Sequence, residues 1–101
     1  MSKGYVIVTE AIHDPAGMKA YGKASALSFA QHRVSVLAVT EDAEVVEGTW
    51  HGNRTVVLEF ESVEAAREWY SSDEYQAAKP LREAAADSNV VILSGFEPRS
   101  G

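Results

Sequence analysis

The chain has 101 residues, 46% hydrophobic and 24% charged, with a net charge of −6 and no cysteine. That is the length of one small globular domain, and its scattered Lys and Arg lack the basic footprint that nucleic acid or an anionic membrane requires. Without cysteine there is no thiol catalysis, iron–sulfur cluster, thiolate metal site or disulfide.

The stretch "GYVIVTEAI", Gly4 to Ile12, is β-branched and aromatic and reads as a strand. Its apolar run is interrupted by Thr9 and Glu10, too early for a signal peptide. No other stretch approaches the roughly 20 residues of a membrane span, so a cytoplasmic protein is expected. Asp14-Pro15 supplies an N-cap and a first helical residue. A helix then runs to about His32, with Met18, Tyr21, Ser25 and Phe29 along one stripe. "VSVLAV", Val34 to Val39, is a second strand. "TEDAE" loosens it and "VVEGTWH" resumes it up to Gly52-Asn53, a two-residue hairpin signal. "RTVVLEFE", Arg54 to Glu61, is the third strand. Ser62 caps the helix "VEAAREWYS", and Ser71 with Glu74 has capping-box spacing for "DEYQAAKPLREAAAD", where Pro80 predicts a kink or break. "NVVILSGF", Asn89 to Phe96, is the last strand.

This order is β-α-β-β-α-β, the ferredoxin-like α+β arrangement, with an antiparallel sheet and helices on one face. Residues 1–97 form one expected domain and 98–101 a frayed tail. In the first strand Val6 and Val8 oppose Tyr5 and Ile7; in the last, Val90, Ile92 and Phe96 oppose Val91 and Leu93. Both faces are apolar, yet the helices cover one. A second copy of the chain is the simplest cover for the other, which predicts a homodimer joined sheet to sheet.

"EGTWHGNRTVVLEF", Glu47 to Phe60, holds most of the candidate chemistry. With Gly52-Asn53 as the turn, His51 faces Arg54 and Trp50 faces Thr55. Trp50, Thr55, Val57 and Glu59 share one face; Glu47, Arg54, Val56, Leu58 and Phe60 share the other, the helix-packed one. Glu47 then sits at the edge of a space under the helices and Glu59 points toward the partner sheet. A Glu in an apolar strand is either half of a structural ion pair or a functional acid or base. Trp50 is a hairpin anchor or a ligand-stacking ring, and Arg54 a salt-bridge residue or an anion clamp. Trp69, Tyr70 and Tyr75 surround a helix junction as core. Tyr21 and Arg82 point into the space between helices and sheet, where Arg82 can neutralise Glu47 or hold a ligand carboxylate. The candidate catalytic set is therefore Glu47, Glu59 and Arg54, and the ligand-binding set Trp50, Arg54, Tyr75, Arg82 and Tyr21. His13, His32 and His51 have no metal-ligand spacing. No metal or other cofactor is expected, and no G-x-S-x-G elbow or glycine-rich phosphate loop is present.

The stretches "GYVIVTEAIHDPAGMKAYGKAS", "VVEGTW" and "NRTVVLEFESVEAAREWYSSDEYQAAKPLREAAADSNVVILSGF" resemble the bacterial domain of unknown function 1330. The resemblance implies a dimeric α/β barrel in which two ferredoxin-like sheets face each other. Members commonly carry a glycine pair before the second strand, where this chain has His32 and Arg33. Relatives with that barrel include cofactor-independent monooxygenases, haem-degrading enzymes, isomerases and small-molecule sensors, so the fold alone selects no activity. The expectation is a homodimer binding a small aromatic or carboxylated metabolite in one pocket per subunit. Its rivals are a cofactor-independent monooxygenase or isomerase-like enzyme, a haem binder, and a non-catalytic assembly module.

Overall fold

A computed structural model describes residues 2–98; residues 99–101 of the expected tail lie outside the described residues. The elements are β1 (Gly4–Ile12), α1 (Pro15–Gln31), β2 (Ser35–Thr40), β3 (Arg54–Phe60), α2 (Val63–Ser71), α3 (Asp73–Ala85) and β4 (Ala86–Ser94). The strands form one sheet in the order β2-β3-β1-β4, and every neighbouring pair is antiparallel. This is the ferredoxin-like arrangement that the alternation of patterns predicts, with its second helix divided into α2 and α3.

Local chemistry explains most boundaries. The Asp14 side chain accepts a hydrogen bond from the Gly17 N–H at 3.1 Å ahead of Pro15, and Ser62 accepts from the Ala65 N–H at 3.0 Å. Ser72, and not Ser71, caps α3 by accepting from the Tyr75 N–H at 3.2 Å; Ser71 is instead the last residue of α2. Helix α3 continues through Pro80 without the expected break. Pro80 is exposed, so water is at hand for the carbonyl that its missing N–H leaves unserved. Strand β4 begins at Ala86, directly after α3 and earlier than Asn89. Phe96 lies beyond the strand end and is 88% exposed, so it does not join Val90 and Ile92 against the core.

The largest departure concerns "VVEGTWH". Residues 41–53 form a long loop and contain no strand. Gly48 and Gly52 hold φ values of +80° and +78°, which interrupt an extended run. Gly52-Asn53 is not a hairpin turn but a clip onto β1. The Asn53 N–H donates to the Glu10 carbonyl at 2.8 Å, and the Asn53 side-chain oxygen accepts from the Ile12 N–H at 3.0 Å. A Cβ on Gly52 would collide with that same Glu10 carbonyl.

The core lies between the sheet and the helices and is built from Val6, Val8, Leu58, Phe60, Ala66, Trp69 and Tyr75. Trp69 is its centre. Its ring lies 5.6 Å from Phe29, 5.4 Å from Phe60 and 4.3 Å from Tyr75, and its N–H donates to the Ser28 hydroxyl at 3.2 Å. On the opposite sheet face stand Tyr5, Ile7, Val57 and Glu59, with Val91 and Leu93 48% and 46% exposed. No helix among the described residues is long and apolar enough to cross a membrane.

Candidate functional site

Along β1 the inward positions run Val6, Val8, Glu10, all buried. The third is a carboxylate where the pattern calls for a third apolar side chain. Glu10 is 2% exposed and faces Arg54, the first residue of β3 and its register partner, with Oε1 3.5 Å from Arg54 Nε. The contact is an ion pair without hydrogen-bond geometry: neither Glu10 Oε1 nor Arg54 Nε has a hydrogen-bond partner. Burial raises the proton affinity of the Glu10 carboxyl above the ordinary range, and the positive charges of Arg54 and Arg82 only partly oppose it.

Both side chains line a cleft of about 910 Å³ between α1 and the helix-facing side of the sheet. Helix α1 leans on α3 and stands off β2, which leaves this space open. Its walls are mainly apolar: Val8, Val56 and Leu58 from the central strands, Val36 and Val39 from β2, Met18 and Phe29 from α1, and Trp69 behind them. Tyr21 also lines it. A mostly apolar concavity with a few convergent polar groups is the usual form of a small-molecule site.

Behind the cleft lies a chain of polar contacts. The Tyr21 and Tyr75 hydroxyls are 3.0 Å apart, and Arg82 Nε donates to the Tyr75 oxygen at 3.2 Å. Tyr75 and Arg82 are buried. Burial, reinforced by the neighbouring Tyr75, holds the Tyr21 hydroxyl protonated well above the ordinary phenol range.

Of the residues singled out from sequence, Arg54, Tyr21, Tyr75 and Arg82 are brought to this region. The others go elsewhere. Glu47 is exposed on the 41–53 loop, because the strand that would have carried it under the helices does not form. Arg82 meets Tyr75 and the field of Glu10 in its place. Glu59 is on the opposite sheet face, accepting from the Tyr5 hydroxyl at 3.1 Å. Trp50 is half-exposed on the loop; its indole N–H donates to the Thr55 hydroxyl at 2.9 Å, so the expected Trp50–Thr55 contact forms without a strand. His51 does not face Arg54 but pairs with Thr9, Nδ1 to Oγ1, at 2.8 Å. Glu10 was the residue missed, and the Val6-Val8-Glu10 alternation was the signal that could have found it. Among the described residues no three His, Asp or Glu side chains gather as a metal ion would require.

The family model described as a domain of unknown function (DUF1330) matches residues 3–96. No curated protein matches the chain. Among solved structures, the chain is similar to RPA0582, a protein of unknown function from Rhodopseudomonas palustris. The identity is 21% and the TM-score 0.74, over 96% of this chain and 85% of that one. It is also similar to SnoaB, a cofactor-independent oxygenase from Streptomyces nogalater, at 14% identity and a TM-score of 0.66, over 100% and 97% of the two chains. A dimeric ferredoxin-like protein of unknown function from Bacteroides fragilis matches at 14% identity and a TM-score of 0.60, over 91% and 95%. Identities this low speak for the fold alone.

Proposed function

The chain belongs to the DUF1330 family, a family named for its lack of an assigned activity, and from that premise we propose that it is a homodimeric α/β-barrel protein that binds a small metabolite in one cleft per subunit. Residues 1–97 act as a single domain in this reading. The ligand is aromatic or otherwise largely apolar, with an oxygen-bearing end. Glu10 and Arg54 form the polar end of the site, Tyr21 and Trp69 its aromatic walls, and Tyr75 and Arg82 hold the wall from behind. One observation carries the reading: a mainly apolar cleft of about 910 Å³ has a buried carboxylate and a guanidinium paired at its wall.

The dimer has its own support. The sheet face away from the helices is apolar and open at Val91 and Leu93. The protomer is also more extended than its length requires: its radius of gyration is 14.4 Å, against about 13 Å for a compact chain of this size. Pairing of two such faces leaves Glu59 and Tyr5 in the interface, and Glu10 and Arg54 in each cleft.

A second reading is catalytic. A carboxylate whose proton affinity is raised by burial is a stronger general base than an ordinary one. Proton abstraction from a bound ligand, with Arg54 beside the developing negative charge, fits an isomerase-like enzyme or a cofactor-independent monooxygenase. Substrate-dependent oxygen uptake separates the latter from the former.

Native mass spectrometry of the purified protein tests the principal reading. The expected species is two chains with a retained small molecule, which Arg54→Met releases while the two-chain mass persists. A monomer without ligand would overturn it.

A further inference from the structure

The end of the 41–53 loop does not hang free but lies across one end of the outer sheet face. On that face the register sets residues in rows: Glu59, Tyr5 and Leu93 in the first, Ala38, Val57, Ile7 and Val91 in the second, Thr40, Thr55, Thr9 and Asn89 in the third. The Trp50 indole N–H donates to the Thr55 hydroxyl at 2.9 Å, and His51 Nδ1 pairs with the Thr9 hydroxyl at 2.8 Å. His51 Nε2 also stands 3.9 Å from Asp87 Oδ2 on β4. Residues 50–51 therefore run from β3 over β1 toward β4 and raise a step on the third row. The first two rows stay open, with Val91 and Leu93 half exposed, and the half-exposed Trp50 ring stands at the step.

Resting on the homodimer reading, we infer that this step fixes how the two sheets meet: Trp50 and His51 of each protomer pack beyond the end of the partner's first row, beside the partner's Tyr5 and Glu59. A two-fold axis between the faces has two limiting directions. An axis along the strands sets step upon step, and the loops hold the apolar rows apart. An axis across the strands reverses the order of the rows. The first two rows of each sheet then meet, and each step clears the partner's end. Only this second arrangement buries Ile7, Val57, Val91 and Leu93, and it buries the Trp50 ring with them. Phe96, exposed just past β4, adds apolar surface at the same end. The occupant is a second copy rather than an extended peptide. The open rows span all four strands, the shape of another sheet, whereas a peptide adds to the backbone groups of a sheet edge. The protomer's accessible surface also exceeds that of a compact monomer by more than one side of a standard interface.

The chain has no cysteine, so introduced thiols are its only ones. Trp50→Cys combined with Tyr5→Cys, treated with a short bismaleimide, is expected to run as a covalent dimer on a denaturing gel, and each single variant as a monomer. Acrylamide quenching of the native chain gives a second measurement that needs no substitution at the contact. Trp69 is fully buried, so the quenched emission is that of Trp50. Quenching is expected to be several-fold weaker in the native dimer than in the Val91→Lys, Leu93→Lys chain. A covalent dimer from Trp50→Cys alone would place step upon step and overturn the inference. So would equal quenching of the two chains when the native one sediments as a dimer. Either result leaves the homodimer itself standing. A native chain that sediments as a monomer would overturn both.

Discussion

Glu10 occupies a position where its neighbours on the same strand face are Val6 and Val8, and its chemistry follows from that company. Burial disfavours the ionised carboxylate more than Arg54 and Arg82 favour it, so the folded protein binds this proton more tightly than the unfolded chain does. The sign of the linkage is then fixed. The stability contributed by this group is fully present below the ordinary carboxylate range and is lost as pH rises through the raised folded value. Glu10→Gln cannot ionise and removes that slope. Urea unfolding at pH 4 and pH 8 is expected to show the native chain losing stability relative to Glu10→Gln on going to the higher pH. A constant difference between the two proteins would show that Glu10 has an ordinary proton affinity.

Boundaries between elements are where the sequence and the folded chain part company, and the turn from α1 into β2 is the clearest case. Arg33 sits there with a φ of 51°, in the left-handed region that glycine accepts without a penalty. Arg33→Gly is expected to raise unfolding stability by about 1 kcal/mol, read as a shift of the urea midpoint at constant slope. Elsewhere, patterns with a strong period were legible. The alternation in β3 identified its helix-packed face, and Met18, Tyr21, Ser25 and Phe29 lie together on α1 as their spacing indicated. What misled was short-range propensity. "VVEGTWH" has β-forming residues, but two glycines at positive φ and the Gly52-Asn53 clip to β1 decide its path. That clip is a contact between residues some forty positions apart, and no local rule contains it. Half of the polar pair was likewise visible: Arg54 stood out by charge, whereas Glu10 was hidden in a run that reads simply as a strand end.

At the scale of the molecule, surface area makes the case for association. The accessible surface is 6664 Å², whereas a compact monomer of 10.9 kDa exposes about 5,600 Å². The difference, about 1,100 Å², exceeds the roughly 800 Å² that each partner contributes to a standard interface. Charges placed on the open sheet face should therefore separate the protomers without disturbing the core. Val91→Lys combined with Leu93→Lys is expected to sediment as a monomer, against a dimer expected for the native chain, with far-UV circular dichroism unchanged. A dimer that survives both substitutions would move the interface elsewhere.

Strand β2 is an outer strand of the sheet, and Val36, Leu37 and Val39 on it are about half exposed. Such a strand is a template for uncontrolled growth, since its outer N–H and C=O groups can recruit any extended chain. Its pairing is irregular, however: Val36 is opposite Leu58 and Ala38 opposite Val57, so Leu37 is an inserted residue. A bulge of this kind bends the ladder and spoils the flat register that a fibril needs to add successive strands. The irregularity at Leu37 thus works against regular strand addition at an edge whose Val36 and Val39 line the cleft.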